Sequence, residues 1–132
     1  MREFWLNEAT IEHDICTMPV QPFVDMIHKE LGNVKRVLDL GCGVGRLSEP
    51  LSKYYEITGI DINQKFLDAA PKNKKVRYLC QDYITGSYDG VYSVLLFQHI
   101  TSEEKQGYIK QVYNHLRKGG RFVIQYVVGG LS

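Results

Sequence analysis

With 132 residues, 44% of them hydrophobic, the chain is long enough for one domain with a real core and too short for two ordinary ones. Its 16 lysines and arginines against 15 acids leave a net charge of +1, which excludes a global field drawing it to nucleic acid or an anionic membrane. The first fifteen residues carry Arg2, Glu3, Glu8, Glu12 and Asp14 without an apolar stretch, and the longest nearly apolar run, Val91 to Phe97, is too short for a bilayer; a soluble cytoplasmic protein without a secretory signal is expected. Cys16, Cys42 and Cys80 lie far apart with no C-x-x-C pair, so neither a zinc site nor a disulfide framework is indicated, and no metal is expected.

In chain order, Gln21 to Leu31 places Phe23, Val24, Ile27 and Leu31 at helical spacing, and Gly32-Asn33 supplies the stop. Arg36 to Leu40 is a short apolar strand that runs into Gly41-Cys42-Gly43-Val44-Gly45. A helix is expected to begin near Arg46, carrying Leu47 and Leu51, with Pro50 tolerable only in its first turn. Ile57 to Ile60 reads as a second strand, and Asn63 caps a short helix through Phe66, Leu67 and Ala70 that Pro71 ends. Lys72, Lys74, Lys75 and Arg77 read as a solvated turn and the start of strand three rather than a nucleic-acid patch.

The third strand covers Val76 to Cys80, and turn signals at Gly86 and Asp89-Gly90 precede a fourth, Val91 to Phe97, apolar nearly throughout as a central parallel strand should be. Thr101 and Glu104 form a capping box before a helix whose expected apolar face is Tyr108, Ile109, Val112, Tyr113 and Leu116. Gly119-Gly120 is expected to close that helix, and Arg121 to Val128 to form strand five. Alternating strands and helices imply an α/β, Rossmann-like three-layer sandwich with a mostly parallel sheet in the order 3-2-1-4-5. A single domain over 1–132 is expected, with an N-terminal segment and helix to residue 33 and a core from 34 to 128.

The glycine loop narrows the ligand. Bare backbone after a strand turns sharply, approaches a ligand closely and aims a helix N-terminus at it. The spacing is G-x-G-x-G, with Arg46 where a dinucleotide fingerprint has its third glycine, so an NAD-dependent oxidoreductase is disfavoured; no Gly-Lys-Ser/Thr follows, so neither is this a Walker loop. Asp39, two residues before the first glycine, would repel a pyrophosphate but can accept from an ammonium.

Asp39-x-Gly41-x-Gly43-x-Gly45 resembles the first motif of the class I S-adenosylmethionine-dependent methyltransferases, and the likeness extends over residues 34 to 126, including the turn at Leu116 to Phe122. The resemblance implies that Asp39, Gly41, Cys42, Gly43 and Gly45 pass close to the amino-acid and ribose parts of S-adenosylmethionine. By the same likeness Asp61 accepts from the ribose hydroxyls, Ile62 lines the adenine, Asp82 accepts from its amino group, and Tyr83 packs near the ring. Phe97-Gln98-His99 falls beneath the methionine moiety, facing the nucleophile, with Phe97 against the cofactor, Gln98 orienting cofactor or substrate, and His99 a candidate base. Trp5, Phe4 and Tyr126 are candidate aromatic faces for the sulfonium.

Methyl transfer to an unidentified small molecule, yielding S-adenosylhomocysteine, is the activity this implies. The alternative is an S-adenosylmethionine-binding module, or a truncated or partner-dependent subunit, without independent activity. Strand four lacks the Asn/Asp-Pro-Pro-aromatic element of the related nucleic-acid amino methyltransferases, so a nucleobase acceptor is disfavoured. The resembled family ordinarily adds two strands after the fifth. Either a shortened version of a longer protein, or a second copy or other partner covering the strand-five edge, is therefore expected.

Overall fold

The computed structural model describes residues 19–94 and 96–125, with the side chain of Gln98 outside that description. Trp5, Phe4, Cys16 and Tyr126, and the end of the expected fifth strand at Val127 and Val128, lie outside the described residues.

Helix α1, Val20–Leu31, carries Pro22 in its first turn, where a missing N–H costs no intrahelical bond, and buries Val24, Ile27 and Leu31 at three- and four-residue spacing. Gly32 ends it at φ 71°, donating its N–H to the His28 carbonyl at 2.8 Å. Five strands follow: β1 Arg36–Leu40, β2 Glu56–Asp61, β3 Val76–Cys80, β4 Tyr88–Val94 and β5 Leu116–Gln125. Every pairing is parallel and the order is β3-β2-β1-β4-β5, as the alternation of elements predicts.

Successive residues of β1 feed opposite faces. Val37 joins a cluster with Val24, Ile27, Leu51 and Tyr92 beneath α1, whereas Leu38 and Leu40 join Ile60, Val91, Phe97 and Val112 on the other face. Burial of both faces is why the central strand reads as a nearly unbroken apolar run; each buried Val, Leu or Ile contributes about 1.5–3 kcal/mol.

The remaining helices are shorter or differently faced than the sequence suggests. Helix α2 is the single turn Ser48–Leu51, with Leu47 at its N-cap instead of inside it and Pro50 in that turn. Helix α3, Gln64–Ala69, is capped by Asn63, whose side chain accepts from the Lys65 N–H at 2.9 Å. Helix α4, Ser102–His115, opens with the Thr101/Glu104 capping box. Its inner stripe is narrower than expected, since Val112 is buried while Ile109 is 47% and Tyr113 82% exposed.

Strands four and five are displaced from the expected bounds. β4 starts and stops three residues early because Tyr88 and Gly90 already pair with Leu116 and Arg121, and the chain then coils into a 3-10 turn, Leu96–His99. An apolar run carries no mark of where strand gives way to turn. Gly119 and Gly120 do not stop α4, which ends at His115; they lie in an irregular stretch of β5 between Tyr88 and Gly90 of its neighbour. Gly119 takes φ 83°, and a Cβ on Gly120 would come within 2.8 Å of the Asp89 carbonyl.

Candidate functional site

The glycine loop crosses the C-terminal ends of β1 and β2. Gly41, Gly43 and Gly45 take φ of 78°, 56° and 81°, conformations that a side chain would strain. The N–H groups of Gly41 and Cys42 both donate to the Ile60 carbonyl, at 2.9 and 3.0 Å, which ties the loop to the end of β2. At two of the glycines space is also tight. A Cβ on Gly41 would stand 3.1 Å from Leu96, and one on Gly45 would overlap the Tyr78 hydroxyl.

Asp61 closes this arrangement. Its Oδ2 accepts from the Gly43 N–H at 2.9 Å and its Oδ1 from the Asn63 N–H at 2.9 Å, so one carboxylate joins the loop to the start of α3. Burial pushes its pKa above the usual carboxylate value, opposed by the donated backbone hydrogen bonds. The side chain keeps partial exposure, and each carboxylate oxygen has a further lone pair for a ligand hydroxyl.

Asp39 occupies a different setting. It is 3% exposed, and its Oδ2 accepts from both Ser48 Oγ at 2.6 Å and the Tyr92 hydroxyl at 2.9 Å. Strand register explains the cluster, because Tyr92, Asp39, Gly59 and Tyr78 are consecutive partners across β4, β1, β2 and β3 and share one face. Burial, then the nearby Asp39 charge, drives the Tyr92 phenol far above its ordinary pKa. The Tyr78 hydroxyl, pushed upward chiefly by burial, is buried without a hydrogen-bond partner. On the other side of β1, Ser93 Oγ donates to the Leu40 carbonyl at 2.8 Å, fixing the start of the loop to β4.

The other expected positions fall into different settings. Cys42, 8% exposed, packs over Gly59, where a Cβ would meet its sulfur at 2.9 Å, and Ile62 is partly buried, its carbonyl accepting from Cys80 Sγ at 3.6 Å. Asp82 and Tyr83 lie on the exposed segment after β3, Tyr83 being 54% exposed. Phe97 is 3% exposed and packs edge-on against Phe122 at 5.9 Å, so its ring lies in the core. Gln98 and His99 belong to the 3-10 turn beyond β4, and partial burial lowers the His99 pKa, favouring its neutral form. Lys72, Lys74, Lys75 and Arg77 are all exposed.

Ser48, Tyr78, Tyr92 and Ser93 were not legible as site residues. A hydroxyl beneath a loop is recognisable only when strand register is known, and register is a tertiary property. Among the described residues no group of three His, Cys, Asp or Glu side chains could hold a metal ion. None of their helices is long and apolar enough to cross a membrane.

The family model for a methyltransferase domain matches residues 37–120. The chain is 32% identical over 98 residues to the ubiquinone biosynthesis O-methyltransferase of Coxiella burnetii, covering 66% of this chain and 41% of that protein. It is 30% identical over 111 residues to the sphingolipid C9-methyltransferase of Komagataella phaffii, covering 68% of this chain and 23% of that one. The chain thus spans less than half the length of these curated relatives. Among solved structures, an S-adenosylmethionine-dependent methyltransferase from Clostridium acetobutylicum superposes with a TM-score of 0.68 at 28% identity, over 86% of this chain and 52% of that one.

Proposed function

Since the chain belongs to the class I S-adenosylmethionine-dependent methyltransferases, we propose that its glycine loop seats S-adenosylmethionine and that the domain directs methyl transfer to a small-molecule acceptor. The observation that carries this reading is the Asp61 carboxylate at the mouth of a loop of three glycines, one oxygen on the Gly43 amide and one on the Asn63 amide. The residues fit the group: bare backbone admits close approach, and the acids at the ends of β2 and β3, Asp61 and Asp82, suit a cationic ligand bearing hydroxyl and amino donors, while the buried Asp39 supports the loop from below.

Asp61 holds the ribose hydroxyls through its remaining lone pairs, and because its position is set by two backbone amides it needs little reorganisation when the ligand arrives. Asp82 and Tyr83 take the adenine. When bound, the cofactor supplies a methyl group made electrophilic by its sulfonium. The chain's part is then to align the acceptor and exclude water. His99, held neutral by its surroundings and placed beyond β4, takes a proton from an acceptor that must lose one. Gln98 lies beside it in the same turn and orients acceptor or cofactor. A small-molecule acceptor accords with relatives named for sphingolipid methylation and ubiquinone biosynthesis.

Titration calorimetry with S-adenosylhomocysteine tests the cofactor assignment: micromolar binding is expected, and folded protein that ignores the compound at millimolar concentration would refute it. Turnover assays with a panel of small acceptors separate an enzyme from a binding module, which would bind the cofactor and release no S-adenosylhomocysteine.

A further inference from the structure

The segment 81–87 between β3 and β4 contains no helix or strand, yet it is held at defined points. Some of its bonds are local: Gln81 Nε2 donates to the Tyr83 carbonyl at 2.9 Å and to Thr85 Oγ1 at 3.2 Å, and the Tyr88 hydroxyl donates to the Thr85 carbonyl at 2.7 Å. Others come from far along the chain: the Gln81 N–H donates to the Asp61 carbonyl at 3.0 Å and Arg117 Nε to Ser87 Oγ at 3.2 Å. The Ile84 N–H donates to Gln111 Oε1 at 2.7 Å, and His115 Nδ1 lies 2.7 Å from the Gly86 carbonyl. A carbonyl only accepts, so His115 carries a proton on Nδ1. Gln111 and His115 are four residues apart on α4 and therefore share a face, presenting one acceptor and one donor to the same loop.

Between these anchors the Ile84 side chain is 4% exposed and belongs to the core cluster that includes Val112 of α4. Asp82 and Tyr83 immediately precede this fixed point. A loop with no ladder of its own takes its conformation from such external bonds, and residues 82 and 83 are held between the bond from Gln81 to Asp61 on one side and those at Ile84 and Gly86 on the other.

We propose that Gln111 and His115 are positioning residues for the adenine end of the site, α4 holding the 82–86 loop so that Asp82 meets the amino group of the base. This rests on the cofactor reading above. Neither residue touches the ligand; both act through the loop, and their effect is specific to the base rather than general to binding.

The test compares S-adenosylhomocysteine with S-inosylhomocysteine, which presents a carbonyl oxygen where adenine has its amino group. Wild type is expected to bind the adenosyl compound about tenfold or more tightly over the inosyl one, because an acceptor facing another acceptor is left unpaired. Gln111→Leu should weaken adenosyl binding about fivefold, the loss of roughly one hydrogen bond, and shrink the preference between the two ligands. Gln111→Glu keeps an acceptor oxygen and should restore the preference. His115→Leu should reproduce the loss and His115→Asn, whose amide can stand in for Nδ1–H, should reverse it. Should Gln111→Leu fail to fold, the His115 pair makes the same comparison at an exposed carbonyl.

A variant with lower thermal stability but an unchanged preference would overturn the proposal, showing the clamp to be structural only. Wild type that binds both compounds equally would overturn it too, since the loop would not read the base. Wild type that binds neither would instead remove the cofactor reading on which the proposal stands.

Discussion

Asp39 and Asp61 end neighbouring strands and flank one loop, but they are solvated by opposite means. Asp39 is sealed in the core and accepts from side-chain hydroxyls of Ser48 and Tyr92, whereas Asp61 keeps partial exposure and accepts from backbone amides of Gly43 and Asn63. The first binds the loop's foundation, the helix α2 and the central strands. The second sets the loop's shape on its more open side. Two acids two residues outside a glycine loop and at the next strand tip are thus not interchangeable, and their loss should be felt in different observables.

Asp39→Ala should give the largest change, about 3 kcal/mol of lost stability in urea denaturation, because it strands two buried hydroxyls and opens a cavity. Asp61→Asn should instead leave most stability intact and weaken S-adenosylhomocysteine binding by about 2 kcal/mol, roughly thirtyfold in Kd, since an amide nitrogen must face one of two N–H donors. Equal losses of stability in the two variants would erase the distinction drawn between them.

Acid sharpens the contrast at Asp61. Its folded pKa lies above the unfolded value of about 3.8, so folding favours its protonated form; its contribution to stability is greatest below pH 3.8 and falls as pH rises through the raised value. In the proposed cofactor site the ionised form would accept from the ligand, so affinity is expected to run the other way and fall as pH drops through that value. Asp89 has the opposite sign of shift: the Arg36 N–H leads the groups that hold its pKa down, joined by Arg117, so its contribution is present above pH 3.8 and lost in stronger acid. The difference in urea midpoint between wild type and Asp61→Asn, followed from pH 3 to 6, isolates the Asp61 part; a difference independent of pH would contradict the assigned shift.

The smallest effect separates two tyrosines in one row. Tyr92→Phe should cost about 1 kcal/mol by removing a donor to Asp39, while Tyr78→Phe, which removes a hydroxyl with no partner, should cost nothing or raise the thermal midpoint slightly. Matching losses from the two substitutions would show that Tyr78 finds a partner in solution.

The half of the sheet built on β1, β2 and β3 was legible to within a residue because glycines, Asn63 and Pro71 punctuate it with distinct backbone requirements. On the β4 and β5 side the sequence offers long apolar runs, and Val91 to Phe97 hides the change from strand to 3-10 turn that places Phe97 in the core. Gly119-Gly120 reads as a helix stop because that is the commonest use of such a pair, but here pairing of Leu116 with Tyr88 takes the backbone into the sheet first. The loop and the acids at its rim were readable as a motif. The Tyr92 hydroxyl on Asp39 and the α4 bonds to the 84–86 backbone were not, since each depends on residues far apart in the chain meeting through register or helix packing, and the Ser48 hydroxyl reaches Asp39 only once the loop has folded back.

Gly59 gives the loop an unusual seat. A glycine in the middle of a central strand weakens that strand by about 0.5–1 kcal/mol relative to alanine, yet here it leaves a slot into which the Cys42 thiol and the Tyr78 ring both settle. At this point the loop's Cys42 consequently packs against main chain, beside the Tyr78 ring. A single methyl group at position 59 would act as a shim, pressing on Cys42 and displacing the glycine loop while leaving every residue of that loop unchanged.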